Sequence, residues 1–205
     1  LCIYNTQAGI GLMSAPEYMS LPSVSDTFCC KRLERVFDDC FCDTFRTRLF
    51  GGAEEPLYQP AQTPGDYHAL YYRGDYFASA LHEVAHWCIA GTGRRQQLDF
   101  GYWYAPDGRS GEEQQAFQSA ERRPQALEWF FSQACGYRFR VSADNLGRSE
   151  DAIPDTTVFQ SCVLEQALCL QREGLPERAE LFFGSVCCEF ATMTSRRELH
   201  FSLVD

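Results

Sequence analysis

Apolar residues recur at three- and four-residue steps through Leu33, Phe37, Cys40, Phe41 and Phe45, which predicts a helix opening near Ser25 and closing at Gly51-Gly52. Asp38, Asp39 and Asp43 fall on its polar side and read as a solvated face, because no glycine and terminal glutamate stand at calcium-loop spacing. Glu55-Pro56-Leu57-Tyr58 and Tyr67 to Tyr72 read as short extended segments, and His68 within the second reads as structural. A second helix is predicted across YFASALHEVAHWCIAG, Tyr76 to Gly91. Phe77, Leu81, Val84 and Cys88 form its core stripe, while Ala78, His82, His86 and Ile89 occupy a different face. Asp75 is placed to cap its start and Gly91 to supply a left-handed end, with Arg94 and Arg95 near the negative pole.

Farther along, Leu98 to Tyr104 is aromatic and extended, closed by the turn Pro106-Asp107-Gly108. Ser110 and Glu113 make a capping box that opens a helix, which Pro124 is expected to interrupt. Pro124 then starts a further helix to Cys135, with Gly136 at its cap. Two more helices are predicted, from Thr156 to Glu173 and from Pro176 to Glu189. The fold class is α+β: one helix-rich domain with a small sheet. Its expected extent is residues 25–190, after a loose N-terminal segment (1–24) and before a C-terminal tail (191–205).

Composition narrows the function. With 205 residues and 45% hydrophobic content the chain can build one substantial core, and no run is long enough to span a membrane. The first thirty residues hold no Lys or Arg, so a basic signal-peptide region is missing and a cytoplasmic protein, working as a monomer, is expected. The eleven cysteines are odd in number and include two adjacent pairs, which favours reduced thiols over a disulfide framework. Cys29, Cys30, Cys40 and Cys42 match none of the usual zinc-knuckle spacings. A net charge of −10 argues against nucleic acid and favours cationic partners. Lys31 is the only lysine and lies in a charged helical stretch, which discounts Schiff-base chemistry.

The chemistry concentrates at His82-Glu83-x-x-His86. Residues four apart on a helix share a face, so the two imidazoles can grip one divalent ion and leave Glu83 beside it as a base. This puts the metal site on a central helix, in a zincin-like arrangement. A third ligand is needed, and catalytic sites usually add a carboxylate. Glu112, Glu113, Glu121 and Glu128 are available; Glu121 and Glu128 stand two turns apart with Pro124 between them, and spacing alone prefers Glu121 only weakly. Two classes of function compete here. One is a zinc metallopeptidase with Glu83 as general base and Leu98 to Tyr104 as an edge strand holding a peptide. The other is a non-catalytic protein-binding module in which both histidines are structural.

A third reading enters through resemblance. Glu55-Pro56-Leu57-Tyr58, HEVAHWCIAG with Arg94-Arg95, DFGYWYAPDGR from Asp99 to Arg109, and Glu121 with PQALEW from Pro124 to Trp129 resemble the bacterial elongation factor P hydroxylase family. The resemblance spans roughly residues 30 to 185. It implies addition of a hydroxyl group to the β-lysylated lysine of elongation factor P. It also implies a metal held by His82, His86 and a downstream glutamate, best matched by Glu121. Two histidines and one carboxylate also suit non-haem iron(II) with O2 as co-substrate. Glu83 would then orient water or a proton, and Tyr102, Trp103, Tyr104, Asp107 and Arg109 would meet the substrate, the aromatics through its ammonium groups. The histidine and acid pattern usual in 2-oxoglutarate oxygenases is missing, so the sequence names no reductant.

Overall fold

A computed structural model of the chain describes residues 27–100, 111–142 and 156–203. The first helix, α1 (Cys30–Phe45), buries Leu33, Phe37 and Phe41 completely, while Asp39 and Asp43 stay in solvent. It stops at Arg46, which takes the left-handed conformation at φ 48°, and does not run on to Gly51-Gly52. The chain enters strand β1 (Thr47–Ala53) instead. Phe41, Phe45 and Leu49 continue a four-residue step, so helical spacing alone reads on into the strand. Burial settles the matter, because Thr47 and Leu49 point inward and Arg48 outward, a two-residue period.

Strands β2 (Leu57–Gln59) and β3 (His68–Arg73) fall in the two stretches expected to be extended. The sheet order is β1-β3-β2, with β1 parallel to β3 and β2 antiparallel to it. The β1 register shifts between Phe50 and Ala53, and Gly51 is there because Tyr72 presses on it. A Cβ on Gly51 would lie 2.5 Å from the Tyr72 hydroxyl. That hydroxyl donates to Glu34 Oε1 at 2.9 Å, tying the sheet to α1.

Helix α2 (Phe77–Ile89) packs between β3 and α3, with α1 and α5 closing its remaining sides. Its predicted stripe of Phe77, Leu81, Val84 and Cys88 is buried, as are Ala80, Ala85 and Trp87. Both predicted caps are corrected. Tyr76, not Asp75, holds the N-cap position, and Asp75 offers its carbonyl to the Cys30 thiol at 3.1 Å. At the other end Ala90 is extended and Gly91 has no positive φ. The carbonyls of Cys88 and Ala90 accept from Nη2 of Arg178, so a distant guanidinium does what a left-handed glycine would have done.

Helix α3 (Gly111–Cys135) is continuous, and Pro124 lies inside it. A proline there forgoes one backbone hydrogen bond and costs about 3 kcal/mol. Leu127, Phe130 and Phe131 are fully buried on the same helix, and burial of each contributes about 1.5–3 kcal/mol, so packing wins over the local signal. Gly136 takes the left-handed cap that the sequence assigned to it, at φ 68°. Beyond it, the buried Gln125 amide pairs both backbone groups of Ser142, pinning that segment to α3.

Helices α4 (Thr157–Glu173) and α5 (Glu177–Glu189) follow as predicted. The core centres on an aromatic group in which Trp87 meets Phe37 and Phe41 at 5.1 and 4.6 Å, and Phe182 meets Phe131 at 4.9 Å. Helix-rich with a three-stranded sheet, the architecture is α+β. No described helix is long and apolar enough to cross a membrane.

Candidate metal centre

His82 and His86 lie one turn apart on α2 and aim their Nε2 atoms at each other, 3.0 Å apart. Glu121 reaches them from α3, with Oε2 at 3.3 Å from His82 Nε2 and Oε1 at 3.2 Å from His86 Nε2. Donor atoms of these three residues all lie within 4.8 Å of one another, and among the described residues no other group of three shares this property. Ligands about 2.1 Å from a common ion are separated by about 3.0 Å at right angles and about 3.4 Å at tetrahedral angles. The observed spacings lie in that range.

The chemistry of the set fits a divalent cation. Glu121 Oε2 is buried and accepts no hydrogen bond among the described residues, so an ion would satisfy an otherwise orphaned oxygen. Burial alone would raise the Glu121 pKa, yet His86 and His82 outweigh it and hold the carboxyl well below the usual range. Burial likewise opposes a proton on His82, but Glu121 and Glu128 prevail and lift its pKa well above the ordinary value. The pocket therefore already favours positive charge between α2 and α3.

Glu128 faces the other side of the ring, its Oε2 lying 2.8 Å from His82 Nδ1. The spacing of seven that puts it two turns beyond Glu121 was visible in the sequence. The expected break at Pro124 concealed that both carboxylates share one face of one helix.

Glu83 is also buried, and its pKa is raised by burial, partly offset by the two histidines. With His86 it lines a small cleft completed by Tyr58, Leu70, Trp87, Arg94, Arg95 and Asp99. Sequence reasoning did not assign this wall. Tyr58 and Asp99 exchange backbone hydrogen bonds at 2.7 and 3.0 Å, and Arg94 Nη2 donates to Asp99 Oδ1 at 3.1 Å. The stretch Asp99–Arg109 thus begins at the cleft. Tyr102, Trp103, Tyr104, Asp107 and Arg109 lie outside the described residues. His68 stands apart as expected: its Nδ1 accepts from the Ala61 amide at 3.1 Å, and its ring stacks on Tyr58.

Comparison with known proteins agrees in extent with this region. The family model for elongation factor P hydroxylase matches residues 36–200, which include every residue of the centre. A relative from Haemophilus influenzae, elongation factor P lysine hydroxylase, is 44% identical over 157 residues, 77% of this chain and 86% of the relative. The chain belongs to the elongation factor P hydroxylase family.

Proposed function

We propose that this protein is an oxygen-dependent protein-lysine hydroxylase that acts on the β-lysylated lysine of elongation factor P, with His82, His86 and Glu121 as metal ligands. The observation that carries the reading is the convergence of these three donors, two imidazoles and one carboxylate, in a chain of this family. The arrangement is zincin-like, with a histidine pair on one helix and the acid on a later one. Such a set would leave coordination positions open and suits iron(II). When bound, the metal supplies activation of O2, and the balance C–H + O2 + 2e⁻ + 2H⁺ → C–OH + H2O calls for a separate two-electron donor.

The protein's own groups hold and orient. Glu121 neutralises part of the ion's charge, and Glu83 holds a water or a proton at its carboxyl where the cleft meets His86. Tyr102, Trp103, Tyr104, Asp107 and Arg109 receive the substrate side chain, the aromatic rings meeting its ammonium groups. The net charge of −10 draws a cationic side chain toward the protein and disfavours nucleic acid. A translation factor as substrate places the reaction in the cytoplasm.

The test is intact-mass measurement of β-lysylated elongation factor P after incubation with the protein, iron(II), a reductant and air, against an anaerobic control. A gain of one oxygen atom only in air is expected. No gain with metal demonstrably bound would overturn the reading and favour a zinc peptidase with Glu83 as base.

A further inference from the structure

We infer that Glu128 is a positioning residue, which accepts the Nδ1–H of His82 and thereby fixes the tautomer and plane in which that ring presents Nε2 to the metal. The inference rests on the reading of His82, His86 and Glu121 as ligands and concerns how one of them is aimed.

An imidazole that binds a metal through Nε2 must keep its proton on Nδ1, and the group hydrogen-bonded to Nδ1 decides whether it does. The His82 ring is bracketed by two carboxylates of α3, with Glu121 Oε2 at 3.3 Å from Nε2 and Glu128 Oε2 at 2.8 Å from Nδ1. A carboxylate oxygen at this distance accepts the proton of the ring nitrogen it faces, so an ionised Glu128 keeps the proton on Nδ1 and leaves the Nε2 lone pair free. Seven residues of helix separate the two acids by about 10 Å along the axis, which lets one meet each side of a single ring.

Glu128 stands outside the group of donors that converge, so its place is behind the ring. Among the described residues His86 has no equivalent: its Nδ1 is buried and takes part in no hydrogen bond with them. The need differs between the two rings. The His82 side chain is 25% exposed against 10% for His86, so surrounding atoms confine it less and a hydrogen bond must do more of the aiming. Glu128 itself is 8% exposed, and an apolar residue would occupy such a position without the desolvation cost of a carboxylate.

The experiment uses the full chain with cobalt(II) as probe. Affinity is read by competition with a chelator, coordination by the visible absorption of the cobalt, and the His82 tautomer by long-range ¹⁵N–¹H spectra of the zinc-loaded protein. Glu128→Ala should weaken cobalt(II) binding about 10–100-fold and lose the uniform Nδ1–H tautomer. Glu128→Gln, whose amide oxygen still accepts, should restore the tautomer and recover affinity to within about tenfold of wild type. Wild-type affinity and tautomer in Glu128→Ala would overturn the inference. So would a glutamine variant no better than alanine with the absorption change seen for Glu121→Ala, since Glu128 would then be a ligand. If Glu128→Ala does not fold, Glu128→Gln and Glu128→Met are compared: retention of the tautomer by glutamine alone supports the inference, and identical behaviour overturns it. Failure of the wild type to bind cobalt(II), or full binding by Glu121→Ala, would instead sink the underlying metal assignment.

Discussion

His82, His86 and Glu121 each contribute one donor, so truncating any of them should have the same signature. His82→Ala, His86→Ala and Glu121→Ala are expected to lower cobalt(II) affinity by more than about 100-fold and to abolish hydroxylation. Far-ultraviolet circular dichroism of the metal-free variants should remain that of wild type. Retention of activity by both histidine variants would refute the site. Glu83 is predicted to behave differently, because it lines the cleft beside His86 and is not one of the converging donors. Glu83→Gln should leave cobalt(II) affinity within a few-fold of wild type while turnover falls about 10²–10⁴-fold, the usual contribution of a proton-handling group. A loss of metal equal to that in Glu121→Ala would make Glu83 a ligand.

At the scale of elements, stability depends on how α2 is held. Leu81 is fully buried, and Leu81→Ala should cost about 2–5 kcal/mol in urea unfolding. Arg178 is a subtler case, since its guanidinium caps α2 and lies 4.7 Å from the centroid of the Trp87 ring. Arg178→Ala should cost about 1.5–3 kcal/mol by the same measurement, the scale of hydrogen bonds made by a charged donor. These two residues show what a sequence discloses. The Phe77, Leu81, Val84, Cys88 stripe is written in local spacing, and so were α4 and α5. The cap from Arg178 lies 90 residues from Cys88, and no local pattern pairs them. Strand β1 was hidden because Leu49 satisfies a helical and a strand period at once. Pro124 misled because the packing that overrides it comes from other helices. The shared face of the histidine pair was legible by spacing alone, whereas the separate places of Glu121 and Glu128 depend on which side of an imidazole each one meets.

For the molecule as a whole, a net charge of −10 should attract the ammonium-bearing side chain of the substrate, and salt should weaken that attraction. Raising ionic strength from about 0.05 to 0.5 M is expected to raise KM for elongation factor P with kcat nearly constant, measured by initial rates; a salt-independent KM would remove charge from the account. The route of the chain through the site has a different consequence. His82, His86, Glu121 and Glu128 all precede Trp129, so in a growing polypeptide these side chains emerge before α4 and α5. The pieces that hold them come later, for Arg178 clasps the end of α2 and Phe182 packs on Phe37, Phe41 and Phe131. Synthesis therefore delivers the candidate ligands before the helix that completes their support, and metal capture at full affinity is expected only once α5 has left the ribosome.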